Sequence, residues 1–288
     1  LRNNIDRLAK VIVQHDVDIV HARLRATEWR ARSAARRTDR HFVTTFHNAY
    51  GHGSMLKRRY NAIMATGERV IAISQFVANH VAATYGVGPD RLRLIPRGVD
   101  VSRFDPDSVS PERMVRLLRA WRVPDGAQTV LLPGRLTRWK GQLVFIEAMA
   151  RLRRPDVHAV ILGGGVAGYR RELEKAVAAS GSATTFRFID DCPDMAAAYM
   201  VADIFVSAST QPEGFGRVII EAQAMGRPVI ATAHGGAQET IRPGDTGWLV
   251  PPGDAAALAA ALAQALDQDP ATRLAMSRRE IAHVRTHF

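Results

Sequence analysis

The sequence predicts an α/β fold made of two Rossmann-like, doubly wound parallel-sheet domains, and three observations predict it. Short apolar runs alternate with longer helical patterns along the chain, as expected of strands covered on both faces by the helices that join them. The alternation breaks at 97–111, where Gly98, Pro106 and Pro111 mark a linker. The chain of 288 residues, 47% hydrophobic and 23% charged, is long enough for two cores and lacks the composition of a disordered protein.

The first domain is expected over 1–107, with the linker starting near 97. Segments 18–21 and 42–47 read as short buried strands, and a basic helix at 25–37 lies between them. A helix at 55–66, a strand at 69–73, a helix at 75–85 and a strand at 92–95 continue the alternation, with Ser74 placed to cap the helix that follows it. The second domain is expected over 108–288. Its strands are predicted at 129–132, 158–162, 185–189, 204–207, 229–231 and 248–250, with helices between them. Sequential strands joined by helices imply a parallel sheet with right-handed crossovers and ligands bound off the strand carboxyl ends.

Composition narrows the classes further. One cysteine, Cys192, excludes an internal disulfide and disfavours a thiolate metal cluster, so a reducing, cytoplasmic setting is expected. The best apolar run, 196–207, is too short for a membrane helix and contains Asp203. The first residue is Leu1, with no signal-like segment after it, so the start reads as a cut. The net charge of +11 is uneven: residues 1–60 hold thirteen Arg/Lys and five Asp/Glu, a balance of +8. Arg23, Arg25, Arg30, Arg32, Arg36, Arg37, Arg40, Lys57, Arg58 and Arg59 carry most of it. Such a face suits anionic lipid headgroups or saccharides, or is a solvated arginine-rich surface. Nucleic acid is not expected, because no stacking aromatics interleave with these residues and no recognition motif is present.

Two segments carry chemistry. Segment 212–228, Pro-Glu-Gly-Phe-Gly-Arg-Val-Ile-Ile-Glu-Ala-Gln-Ala-Met-Gly-Arg-Pro, reads as a loop that becomes a helix at 218–225, ended by Gly226 and Pro228. Gly214 and Gly216 leave the amides at the helix start open to a phosphate or a sugar hydroxyl. Glu213 before the helix and Glu221 within it are acceptor-only groups that suit vicinal hydroxyls. The plain alternative is a buried α/β helix with a flexible entry loop and two solvated glutamates. Near the end of the strand at 129–132, Arg135 offers a planar fork of donors and Lys140 a compact ammonium, a pair that fits one diphosphate or makes ordinary surface salt bridges.

Taken in order, these segments resemble glycosyltransferase family 4, whose members are retaining glycosyltransferases of the GT-B fold. Segment 212–228 resembles the family's Glu-x7-Glu signature. Segment 134–141, Gly-Arg-Leu-Thr-Arg-Trp-Lys-Gly, is similar to its diphosphate-binding segment. Segment 228–240 resembles the strand and loop after the signature helix, and 95–100, Ile-Pro-Arg-Gly-Val-Asp, resembles the interdomain segment. The resemblance spans nearly the whole chain. It implies an acceptor-side first domain and a nucleotide-sugar-binding second domain facing a central cleft. It further implies catalytic roles for His47 and Glu213, and substrate binding by Arg135, Lys140, Gly214, Phe215, Gly216 and Glu221. Glu221 would take the ribose hydroxyls, Glu213 the donor sugar, and the backbone of Phe215 and Gly216 the sugar or phosphate. His47 would act as a hydrogen-bond donor or proton handler, the plain alternative being a satisfied structural histidine. The acceptor would attack on the face the nucleotide leaves, with the leaving phosphate taking its proton. Asn48 stands where the family often has glycine.

The same resemblance implies a UDP-sugar, GDP-sugar or similar donor, a glycan or lipid-linked acceptor, and a role in bacterial envelope polysaccharide synthesis, such as lipopolysaccharide. It implies no cofactor and no metal, with Arg135 and Lys140 replacing a divalent cation, and a cytoplasmic enzyme peripheral to the inner face of the plasma membrane. Against the family both ends read as truncated. The first strand and its glycine-rich loop have no counterpart before Leu1, and 282–288 stops near where the family continues into a helix crossing back to the first domain.

Competing motifs exist. Gly163-Gly164-Gly165-Val166-Ala167-Gly168 fits the dinucleotide pattern G-x-G-x-x-G after a strand, with Asp190 22 residues past its last glycine. An NAD(P)- or flavin-dependent oxidoreductase is therefore the runner-up, although it leaves Arg135, Lys140 and the paired glutamates unexplained. Asp105-Pro106-Asp107 mimics a metal-binding D-x-D but lies in the linker. A catalytically inactive nucleotide-binding fragment is the third reading.

Overall fold

The computed structural model describes residues 2–50, 54–181 and 185–288. Two compact units are present: Leu1–Arg97 with Glu213–Phe215, and Gly98–Pro212 with Gly216–Phe288.

The first unit runs α1 (Arg2–Gln14), β1 (Ile19–Ala22), α2 (Arg25–Arg37), β2 (His41–Phe46), α3 (Met55–Asn61), β3 (Arg69–Ala72), α4 (Gln75–Tyr85) and β4 (Leu92–Leu94). Its four strands pair in chain order, all parallel, with Phe46 opposite Ala72 and Ala72 opposite Leu94. That register puts the carboxyl ends of β2, β3 and β4 along one edge. The arginine-rich α2 docks through its small residues, since Ala31 and Ala35 pack with Ala22 and Phe42. Ser74 caps α4 as expected, its hydroxyl accepting from the Val77 amide at 3.1 Å. The helix expected over 55–66 tightens into a 3-10 turn at Ala62–Ala65, where Ile63, Met64 and Ala65 are buried in succession and a one-sided α-helix would expose one of them. Helix α1 occupies a stretch where the sequence reading placed no element.

The second unit comprises α5 (Pro111–Ala120), β5 (Gln128–Pro133), α6 (Gln142–Leu152), β6 (Val157–Leu162), α7 (Ala167–Ala179), β7 (Phe186–Ile189), α8 (Met195–Met200), β8 (Ile204–Ser207), α9 (Arg217–Ala224), β9 (Val229–Thr232), α10 (Ala237–Thr240), β10 (Trp248–Val250), α11 (Ala255–Leu266) and α12 (Pro270–His287). All six expected strands form, with ends shifted by at most one residue. They pair in parallel in the order β10-β9-β8-β5-β6-β7. The chain therefore builds outward from β5 to β7, then returns to the other side of β5 to lay down β8, β9 and β10. This reversal makes the gap between β5 and β8 the topological switch point, where an open α/β sheet leaves a crevice beyond its strand ends. The core around it is Val130, Leu132, Phe145, Leu173, Ile204 and Leu262, all buried.

Candidate functional site

In the second unit, Arg135 and Lys140 follow the strand that borders that switch point. Strand β5 ends at Pro133 and is followed by Gly134 and the exposed Arg135. The Lys140 side chain crosses Gly134, its Cδ 3.6 Å from where a Cβ on that glycine would stand, so both cations serve one strand end. Lys140 Nζ lies 4.6 Å from the centre of the Trp139 ring, which supports the ammonium from one side. Arg138 is committed elsewhere, donating to both carboxylate oxygens of Glu172 at 2.7 and 2.6 Å. Gly141 begins α6 at φ +73°, and a Cβ there would come within 1.8 Å of the Ala208 carbonyl oxygen just past β8. Only glycine lets the start of α6 approach the end of β8 so closely. The Thr210 amide then donates to the Trp139 carbonyl at 2.7 Å, tying the loop after β8 to the turn that carries Lys140.

Helix α9 begins after Gly216, which sits at φ +90°. Glu221 is 8% exposed, with one carboxylate oxygen accepting from the Tyr199 hydroxyl and the other from Arg217 Nη2, both at 2.9 Å. Burial, then the Glu221 charge, pushes the Tyr199 phenol well above its usual range, so it stays a donor. Where the sequence predicts a carboxylate open to a ligand, the structure shows Glu221 buried and held from two sides by Tyr199 and Arg217. Arg217 was legible as an i,i+4 partner of Glu221. Tyr199, on another helix, left no signal in the sequence.

The glycines of the dinucleotide-like pattern have a different use. A Cβ on Gly163 would lie 2.3 Å from the Gly134 carbonyl oxygen, and one on Gly165 would lie 2.5 Å from Leu136 Cβ. The Leu136 amide donates to the Gly164 carbonyl at 2.9 Å. These glycines let the turn after β6 pack against the backbone that carries Arg135. Asp190, where that pattern would want a ribose acceptor, accepts from Arg170 Nη1 at 2.7 Å.

In the first unit, His47 follows β2 and is half-buried. Its Nδ1 lies 2.7 Å from Arg97 Nη2. Nearby, His21 Nε2 stands 2.7 Å from the Thr45 hydroxyl. Burial first, then the charges of Arg97, Arg23 and His21, hold the His47 imidazole down to about 4. Glu213, Gly214 and Phe215 group with this unit. A Cβ on Gly214 would lie 2.4 Å from the His47 carbonyl oxygen, and the Ser74 hydroxyl donates to the Gly214 carbonyl at 2.6 Å. By unit, His47, Glu213, Gly214 and Phe215 belong to the first, and Arg135, Lys140, Gly216 and Glu221 to the second.

The sequence carries two family matches, Glycosyltransferase Family 4 over residues 2–103 and Glycosyl transferases group 1 over 127–268. It is 32% identical over 284 residues to the GDP-mannose-dependent alpha-(1-6)-phosphatidylinositol monomannoside mannosyltransferase of Mycolicibacterium smegmatis, covering 94% of this chain and 72% of that protein. The chain belongs to glycosyltransferase family 4. Another relative of this family 4 chain is the D-inositol 3-phosphate glycosyltransferase of Pseudarthrobacter chlorophenolicus, 37% identical over 216 residues, which cover 73% of this chain and 50% of that protein. The chain spans about half the length of such relatives. The crystal structure of Anabaena HepE in complex with UDP and glucose superposes with a TM-score of 0.88 at 26% identity, covering 98% of this chain and 77% of that one. The fold of this family 4 chain, two parallel-sheet α/β domains, is that of the GT-B glycosyltransferases.

Proposed function

We propose that this family 4 chain transfers a sugar, with retention, from a nucleotide-diphosphate sugar to a glycan or lipid-linked acceptor, in bacterial envelope polysaccharide synthesis. The observation that carries the reading is the placement of Arg135 and Lys140 at the switch point, where Gly141 lets the start of α6 close against the end of β8. As the glycosidic bond breaks, negative charge builds on the leaving phosphate oxygen, and two fixed cations at one strand end stabilise it in place of a divalent metal. Glu221, steadied by Tyr199 and Arg217, accepts hydrogen bonds from the ribose hydroxyls. Glu213 takes the donor sugar, the backbone of Phe215 and Gly216 its hydroxyls or phosphate, and His47 hydrogen-bonds at the reacting sugar. In this reading residues 108–288 hold the nucleotide sugar and residues 1–107 the acceptor.

UDP or GDP is the nucleotide, a choice supported by the UDP bound to HepE and the GDP-mannose named for the M. smegmatis relative. Inositol phosphate and phosphatidylinositol in the relatives' names support a phosphate-bearing acceptor, which the basic first unit would attract. We assign the same basic surface a contact with anionic membrane. Its apolar part is Met55 and Leu56, 87% and 82% exposed at the start of α3 beside Lys57, Arg58 and Arg59. Among the described residues no helix is long and apolar enough to cross a membrane.

Titration calorimetry with UDP, GDP and NAD tests the donor site. Binding of a nucleoside diphosphate but not NAD is expected, weakened about tenfold or more in Glu221→Ala, a loss that matches hydrogen bonds to a charged group. Binding of NAD alone would sink the transferase reading, and an unchanged affinity in the variant would remove the ribose role of Glu221.

A further inference from the structure

The sheet register brings Arg97 to His47. Phe46, Ala72 and Leu94 stand in one row across β2, β3 and β4; His47 is the next residue along from Phe46, and Arg97 follows Leu94 by three. The guanidinium reaches back along this edge to put Nη2 2.7 Å from His47 Nδ1.

A guanidinium carries only donors, so in this contact Nδ1 must be the acceptor. An imidazolium has no acceptor, and neutral imidazole has one, on the ring nitrogen without the proton. The contact therefore fits one form of the ring: neutral, with its hydrogen on Nε2. We propose that Arg97 is a positioning residue that locks this tautomer of His47, making the ring a hydrogen-bond donor through Nε2 instead of a general base. The inference rests on the proposed role of His47 in glycosyl transfer and sharpens it.

The surroundings point the same way. The titratable and charged groups near the ring include Arg97 beyond β4, His21 and Arg23 at the end of β1, and Tyr50 beyond β2, whose phenol meets the His47 backbone; the carboxylate of Glu213 adjoins Gly214, which packs on the His47 carbonyl. Two of these are fixed cations. Burial and those cations disfavour a charged imidazole, leaving no proton for the ring to give as an acid near neutral pH. With Nδ1 occupied by Arg97 and Nε2 already protonated, it has no free lone pair with which to take one. What remains is an N–H polarised by the guanidinium on the far side of the ring, suited to a sugar hydroxyl or an oxygen gaining charge. This agrees with a reaction in which the leaving phosphate, not a side chain, accepts the acceptor's proton.

Nitrogen-15 NMR of the ring nitrogens across a pH titration tests the assignment on the chain itself, with the His47 signals identified by their loss in His47→Gln. The expected spectrum shows Nε2 protonated and Nδ1 unprotonated from pH 5.5 to 8, with no titration in that range. In Arg97→Met the proton affinity of His47 should rise at least about tenfold, one pKa unit, toward the ordinary histidine value. Arg97→Lys, which keeps a cation and N–H donors, should hold the tautomer with a smaller change. A proton on Nδ1, titration near 6.5 in the unmodified protein, or an unmoved titration in Arg97→Met would each overturn the proposal. Should Arg97→Met fail to fold, the unmodified protein and Arg97→Lys still decide. Because the measurement needs neither donor nor acceptor, its failure would leave the transferase reading standing. Failure of nucleotide binding would remove that reading without touching the tautomer.

Discussion

Glu28 shows how little a residue's type says about its state. In the sequence it is one acid in a basic helix; in the structure it has no exposed surface, and neither carboxylate oxygen has a hydrogen-bond partner. Burial raises its carboxyl to about 8 against the partial opposition of Arg25. The unfolded chain titrates near 4.5, so between there and about 8 the folded state binds the extra proton. Stability from this group is full below about 4.5 and is lost progressively as pH rises to about 8. Glu28→Gln keeps the shape without the ionisation, and should stabilise the protein by on the order of a few kcal/mol at pH 8 and by little at pH 5. Urea unfolding at the two pH values measures this, and equal gains at both would show that Glu28 ionises normally. The candidate residues divide in the same way. Glu213, Glu221, Arg135 and Lys140 were legible because their residue types and spacing make a pattern, whereas Tyr199 and Arg97, which set the states of Glu221 and His47, were not.

At the scale of elements, the sequence located the strands to within about a residue, because runs buried on both faces stand out from the helices around them. It was weaker on helices with mixed faces, and α1 went unread. Some glycines fit a motif without serving it. Gly163 and Gly165 matched a cofactor motif, yet each is required by the backbone or side chain packed against it. Gly141 has the tightest such contact of the site, and Gly141→Ala should cost at least about 2 kcal/mol, combining a left-handed backbone with a clash against Ala208. Gly168→Ala is the control. Nothing lies within 4 Å of the Cβ it would add, and an alanine in the first turn of α7 should be neutral or stabilise by about 0.5–1 kcal/mol. Chemical denaturation of both variants checks the pair; equal effects would mean that the approach of α6 to the end of β8 is not tight.

At the scale of the whole molecule, charge is the property the sequence states most plainly, and the structure redistributes it. Arg37 pairs with Asp6, and Arg40 with Asp16 at 2.9 Å, so part of the excess counted over the first sixty residues is locally neutralised. Lys57, Arg58 and Arg59 share a short helix with the exposed Met55 and Leu56. Flotation with anionic vesicles should therefore exceed that with neutral ones and weaken as salt rises, since exposed charges are screened within about 10 Å at 0.1 M. Met55→Ser with Leu56→Ser should reduce the bound fraction several-fold. Equal flotation on both vesicle types would leave the surface a solvated one.

The sequence by itself determined the alternation of strands and helices, the class of fold, and the residue types able to bind a diphosphate and vicinal hydroxyls, because these depend on local periodicity and on functional groups. Only the tertiary structure decided that β8 lies beside β5, so that the loops bearing Lys140 and Thr210 meet at one switch point. It likewise decided that Tyr199 and Arg217 hold Glu221 and that Arg97 sets the proton on His47. Strand order and ring tautomer come from contacts between residues far apart in the chain, such as the fifty positions between His47 and Arg97, and no periodicity records which distant groups will touch.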